Sequence, residues 1–323
     1  MDLSEALRRA LDHRQPLLAE LGDTTTCYRL FHGVAEGRPG LTVDRYGPHL
    51  LVQSWREPPT AEELAAIEHH LGGELPVYVW DRRKGATNEA IDDLDGEQTG
   101  LELGLRFDVR PPHAHRGQDP LMFLDFRAAR RWVRANAAGA SVLNLFAYTC
   151  GVGVAAAAGG ASEVWNVDFA ASALDVGRTN AELNGVAMEL VHEDVLPVIR
   201  QLGGLAVGGR RGRQPAYRRF PARTFDLVVL DPPRWARTSW GAVDVVGDYP
   251  SLFKPAVLAT APGGAVLATH HVPTVTVDEW VGQLRRCAAK AGRPLRDVEL
   301  LQPDADFPTF DGAAPLKLAV CRL

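Results

Sequence analysis

The sequence predicts an α/β domain with a mostly parallel sheet, helices on both faces and a C-terminal antiparallel strand, preceded by a small α+β domain. Three observations carry this reading. Residues 141–168 read in order as strand, glycine turn, helix, strand and acid. Further short apolar runs, Met188–His192, Phe225–Leu230 and Ala265–Thr269, follow with a helical stretch between each pair, as in a parallel sheet built from crossovers. Residues 26–55 instead hold short strands separated by turns. The later part is therefore Rossmann-like. The boundary is placed at 110/111, beside Pro111-Pro112, giving domains 1–110 and 111–323.

In the first domain, residues 4–21 carry an amphipathic helix (Leu7, Ala10, Leu11, Leu17, Leu18, Leu21), which Pro16 is expected to kink or split. Strands follow at Tyr28–His32, Leu41–Asp44 and His49–Trp55, with turns at Gly37–Gly40 and Tyr46-Gly47-Pro48. A helix at 60–71, a strand at Pro76–Trp80 and strands near 99–109 complete it.

In the second, Phe123-Leu124-Asp125-Phe126-Arg127 leads into a helix at 125–138, which Asp125 can cap. Val142, Leu143 and Leu145 form the first buried strand. Tyr148–Gly153 is a tight turn in which Gly151 and Gly153 would allow unusual dihedrals and close approach of a ligand. The strand Val164–Val167 ends in Asp168, placed to bind the two hydroxyls of a ribose. The strict G-x-G-x-x-G pattern is missing, and many such units bind nothing. After a helix at 170–184, the strand Met188–His192 precedes Asp194, which suits an adenine amino group or the N-cap of the next helix; both can hold. Residues 203–223 contain five glycines, no acid and six arginines (Arg210, Arg211, Arg213, Arg218, Arg219, Arg223), with Tyr217 and Phe220 among them. That suits an RNA backbone with base stacking, or a solvated insertion. Phe225–Leu230 ends in Asp231-Pro232-Pro233-Arg234-Trp235, a rigid strand end whose proline carbonyls accept hydrogen bonds and whose Trp235 can stack on a flat base. Helices at 248–261 and 277–291 flank the strand 265–269, and a strand pair near 296–301 and 316–322 ends the chain.

The composition of the 323 residues is that of a globular protein. Residues 1–110 carry a net charge of −8 and residues 111–323 a net +3, so a polyanion sits more easily on the second part. Cys27, Cys150, Cys287 and Cys321 are scattered, which argues against disulfides or a zinc site and fits a reducing cytoplasm. No signal peptide, metal or membrane partner is expected. The oligomeric state is not specified.

The order strand–turn–helix, ribose acid, adenine acid and D-P-P-x-aromatic resembles class I S-adenosylmethionine (SAM) methyltransferases. The likeness is closer still to bacterial 23S rRNA methyltransferases of the RlmI and RlmK type. Its carriers are Tyr28–Gly33, Gly37–Gly47, Phe123–Arg127, Asn144–Thr149, Asp231–Trp235, Asp306-Phe307-Pro308 and Ala319–Arg322, and it covers about 10–323. It implies an enzyme that uses SAM to methylate a base of 23S rRNA or a large-subunit precursor. Cofactor contacts are then expected from Phe123, Asp125, Arg127 (toward the SAM carboxylate), Asn144, Phe146, Tyr148, Thr149, Gly151, Asp168, Asp194 and Asp231. Asp231, Pro232, Pro233 and Trp235 would hold the base, and Arg210, Arg211, Arg213, Arg218 and Arg219 the RNA. Two departures stand out. RlmI-type proteins usually begin with a PUA domain, and this chain starts where that module would have ended. Their Ser-Cys-Ser after the fifth strand is replaced by Thr269-His270-His271, so the nucleophile that cytosine carbon-5 transfer needs is absent there. Without it, transfer to a ring nitrogen or amino group is easier, and His270 or His271 could take a proton or could line a solvated loop. Two alternatives remain: a methyltransferase of a small molecule or protein, and a non-catalytic RNA-binding relative.

Overall fold

The structure, a computed structural model, describes residues 2–115, 117–208, 216–238, 240–309 and 315–323. The chain forms two compact units, Met1–Arg127 with Pro303–Ala314, and Ala128–Gln302 with Pro315–Leu323. The expected boundary near Pro111 lies inside the first unit.

The first unit opens with helix α1 (Leu3–Leu21), followed by β1 (Cys27–Phe31), β2 (Leu41–Tyr46), β3 (His49–Ser54), α2 (Ala61–Ile67) and β4 (Val77–Asp81). The strands lie in the order β1-β2-β3-β4, antiparallel except for the β3–β4 pair. Alternate strand residues Leu30, Val43, Leu50 and Val52 meet Leu7, Ala10 and Ile67 in one apolar core. The hairpin β5 (Thr99–Glu102) and β6 (Leu105–Asp108) and the short α3 (Pro112–His115) follow. Pro16 does not split α1. Two residues earlier, the buried Arg14 anchors the helix: its guanidinium donates to the carbonyls of Ala10 (2.8 Å), Arg29 (2.8 Å) and Asp306 (3.2 Å) and pairs with Glu36 at 2.6 Å. These contacts, with Leu17 and Leu21 buried beyond the proline, offset the roughly 3 kcal/mol cost of an interior proline.

The second unit contains α4 (Arg127–Asn136, its first residue belonging to the first unit), β7 (Ser141–Leu145), α5 (Gly151–Ala158), β8 (Glu163–Asp168), α6 (Ala171–Asn184), β9 (Glu189–His192) and α7 (Val195–Leu202). Next come β10 (Phe225–Leu230), β11 (Trp235–Thr238), β12 (Gly241–Asp244), α8 (Pro250–Leu258), β13 (Thr260–His270), α9 (Val277–Lys290), β14 (Asp297–Leu301) and β15 (Lys317–Arg322). Seven strands form one sheet in the order β14-β15-β13-β10-β7-β8-β9, parallel except for β15, which runs antiparallel to both neighbours. The expected turn Pro262-Gly263-Gly264 is instead a bulge within β13, where its register against β10 jumps from Thr260 to Ala265. Leu143, Leu145, Val228, Leu230, Val266 and Ala268 face a core filled by α7, α8 and α9, including Phe253 and Trp280. The β11–β12 hairpin lay outside the expected elements.

Candidate active site

In the sheet of the second unit, β8 and β9 lie to one side of β7, and the chain then crosses to place β10 on the other. Ligands of open α/β sheets bind at such a switch, at the carboxyl ends of the strands. β7 runs there into Phe146–Cys150, where Phe146, Tyr148 and Cys150 all take left-handed conformations with φ of 58°, 49° and 61°. Left-handed backbone costs a non-glycine residue about 1–2 kcal/mol, so three in five residues is strain held by the surroundings. Asp168 holds it: Oδ2 accepts from the Tyr148 N–H at 2.8 Å and Oδ1 from the Ala170 N–H at 2.8 Å. The Ala147 N–H donates to the Val167 carbonyl and the Asn180 side chain to the Thr149 carbonyl. Burial pushes the Asp168 carboxyl above the ordinary range, against these backbone bonds, which pull the other way.

The glycines have a different part from the one expected. Gly151 and Gly153 belong to α5, and positive φ falls on their non-glycine neighbours. A Cβ on Gly153 would lie 2.1 Å from Asn166 Oδ1, so this glycine lets α5 settle on the sheet. Asn144, expected at the cofactor, is buried in β7 and donates to Asn166 Oδ1 at 2.9 Å. Cys150 is turned toward α6, its Sγ 2.5 Å from where a Cβ on Gly177 would stand. Asp194 is the N-cap of α7, with Oδ1 accepting from the Leu196 N–H at 2.9 Å. Its Oδ2 is buried and has no hydrogen-bond partner among the described residues.

One strand further, Asp231 follows β10. Its Oδ1 accepts from Thr269 Oγ1 at 2.5 Å and lies 2.9 Å from His271 Nε2, both at the end of β13. The adjacent His270 is core: it is buried, packs tilted on Tyr249 and edge-on to Trp280, and holds the Val245 carbonyl through Nε2 and the Val272 N–H through Nδ1. Burial, with the nearby Lys317 charge, pushes it down to about 4. Of the two histidines, His271 alone is half-buried beside a carboxylate. Pro232 is buried and Pro233 half-buried, while Trp235 is 62% exposed.

Arg127 is committed elsewhere. It is buried within the first unit, where it donates to Asp304 (2.9 Å), to both oxygens of Asp306 (3.1 and 3.0 Å) and to the Cys27 carbonyl (2.9 Å), with Glu102 at 3.6 Å. These bonds use the N–H groups of both terminal nitrogens, which corrects the expectation that it receives a cofactor carboxylate. Phe123 is exposed in the same unit, and the Asp125 charge acts on Arg29 and Tyr46 there. Arg210, Arg211 and Arg213 lie outside the described residues. Arg218 and Arg219 are exposed, with Arg219 over the Tyr217 ring and Tyr217 edge-on to Trp240 at 5.0 Å. Phe220 and Arg223 are structural: Phe220 packs on Trp165, and Arg223 pairs with Glu163 at 2.6 Å.

The family model for S-adenosylmethionine-dependent methyltransferases matches residues 28–322. The chain belongs to this family. This methyltransferase is 30% identical to the ribosomal RNA large subunit methyltransferase I of Aeromonas salmonicida (strain A449), over 95% of its own length and 77% of that protein's. Against the protein of the same name from Klebsiella pneumoniae (strain 342), the identity is 28% over 93% and 75%. Among solved structures it shares its fold with the methyltransferase SMU.776 complexed with SAH (TM-score 0.81, 24% identity, 99% of this chain and 81% of that one). A SAM-dependent methyltransferase from Streptococcus mutans gives a TM-score of 0.78 at 23% identity, over 99% and 81%.

The cofactor of the methyltransferase is SAM, and the residues present fit it. Asp168 offers a buried carboxylate at the switch, and Asp194 Oδ2 is a buried acceptor with no donor among the described residues. All four cysteines are buried, and burial raises every thiol, Cys27 and Cys321 to about 12. No helix among the described residues is long and apolar enough to cross a membrane.

Proposed function

We infer that this methyltransferase modifies a base of large-subunit ribosomal RNA. The observation that carries the reading is the Asp231-Pro232-Pro233 strand end beside the switch, with Trp235 exposed for stacking, in a chain whose relatives are named for large-subunit rRNA. Asp168 binds the ribose hydroxyls, Asp194 Oδ2 accepts from the adenine amino group, and the Tyr148–Gly153 stretch lies against the methionine part. Bound SAM supplies an already activated methyl group. The chain's task is then to aim a lone pair at it in line and keep water out. The β11–β12 hairpin adds a surface for the RNA: Trp235 and Arg237, two residues apart, are both exposed. Arg218, Arg219 and the Tyr217–Trp240 pair extend the cationic, aromatic character, as a backbone-and-base contact requires. A base within RNA must be unpaired or flipped out to reach such a site.

The test is incubation with methyl-labelled SAM and rRNA or large subunits from cells lacking the gene, followed by digestion to nucleosides. Label in a base of large-subunit RNA is expected. RNA and subunits that stay unlabelled, while SAM binds normally, would overturn the reading in favour of a small-molecule or protein substrate.

A further inference from the structure

We propose that His271 accepts the proton released when a nitrogen of the RNA base is methylated, and that Asp231 positions its ring; the inference rests on the RNA reading above. β10 and β13 are parallel neighbours with Leu230 opposite Ala268, so Asp231, Thr269 and His271 emerge together at the carboxyl edge. β10 also adjoins β7, whose turn Asp168 holds. Asp231 Oδ1 receives the Thr269 hydroxyl at 2.5 Å and faces His271 Nε2 at 2.9 Å. A carboxylate there keeps the proton on Nε2, so the neutral ring carries its lone pair on Nδ1, and an imidazolium formed by protonation is stabilised by the same oxygen. The His271 and Asp231 side chains are 35% and 26% exposed, within reach of a ligand, whereas His270 is sealed in the core.

The chemistry follows from what the chain has and lacks. Transfer to carbon 5 of a pyrimidine needs a nucleophile that adds to the ring first, and all four thiols are buried with raised pKa. Transfer to nitrogen needs none. The base nitrogen uses its lone pair to form the new N–C bond as the methyl–sulfur bond breaks, and that bond's electron pair leaves with sulfur. The proton on the methylated nitrogen passes to His271 Nδ1, and water later removes it.

Three readouts test this on the full chain. Mass spectrometry of the labelled nucleoside is expected to show an N-methylated base, and RNA carrying 5-fluorocytidine no covalent adduct. His271→Asn is expected to bind SAM and RNA like the wild type, while its single-turnover rate falls about 100-fold and its low-pH limb disappears. In nitrogen NMR of the free protein, His271 is expected as the Nε2–H tautomer, and Asp231→Asn to lower its pKa. A 5-methylcytidine product, an adduct, or a His271→Asn enzyme with wild-type rate and pH profile overturns this inference and leaves the RNA reading standing. Unlabelled RNA with intact SAM binding overturns both, and an imidazole indifferent to Asp231→Asn removes the positioning role.

Discussion

Asp168 shapes the turn through the Tyr148 and Ala170 N–H groups, and in the proposed function it is also the acid that meets the cofactor ribose. Replacing it with alanine removes both functions, so Asp168→Ala should weaken SAM binding by well over tenfold, more than about 1.4 kcal/mol. Calorimetry giving wild-type affinity would refute the ribose role. The raised carboxyl also sets a pH direction. As pH falls, Asp168 takes up its proton at a higher pH than an ordinary aspartate, and SAM affinity should begin to decline earlier than an ordinary carboxylate would make it. A calorimetric series run from pH 8 down through the aspartate range reads this. The acids at strand ends, Asp168, Asp194 and Asp231, were legible in the sequence because a parallel strand delivers its next residue to the ligand edge. Arg127 was not. The partners that claim it, Asp304 and Asp306, lie 177 and 179 residues away, and no local pattern announces them. His271 stood between: the sequence marked the histidine pair, and only the structure separates the half-buried member beside Asp231 from the one sealed in the core.

At the scale of elements, the order strand, turn, helix was legible, but the turn falls at Phe146–Cys150 rather than Tyr148–Gly153, whose glycines belong to α5. Strand, turn, helix and strand follow from apolar runs and periodicity, yet the left-handed positions fell on Phe146, Tyr148 and Cys150, because Asp168 and the packed helices hold them there. Gly153 is needed for approach between α5 and β8. Gly153→Ala should therefore destabilise despite alanine's better helix propensity. Its methyl would meet Asn166 Oδ1 at 2.1 Å and disturb the bond from Asn144, an overpacking cost of about 1–3 kcal/mol. A lower urea midpoint at unchanged slope is the expected signature, and an unaltered midpoint would show that Asn166 can move aside. The β11–β12 hairpin was illegible for another reason. It is a two-stranded insertion in which Trp235, Arg237 and Gly241 are exposed, and Trp235, Arg237 and Trp240 give no periodic signal of a core.

At the scale of the whole molecule, the chain carries histidines in both units that folding keeps neutral. His32 and His49 in the first unit and His270 in the second are each pushed down to about 4, chiefly by burial; the Arg29 and Arg14 charges add to it at His32, and Lys317 at His270. In the unfolded chain these rings titrate near their ordinary value of 6.5. Between the two values the unfolded state binds more protons than the folded one, and stability then rises with pH. Above pH 6.5 all three are neutral in both states and the penalty vanishes. Lowering pH from 6.5 toward 4 therefore costs stability steadily, and below about 4 the rings protonate in the folded state too and the loss levels off. Urea unfolding at pH 7.5, 6.0 and 5.0 should show midpoints that fall at each step. His49→Phe would remove one of the three rings and should flatten the fall, whatever it does to stability at pH 7.5. Midpoints that stay level down to pH 5.0, or a His49→Phe profile as steep as the wild type, would mean that these rings take up protons in the folded chain as readily as in the unfolded one.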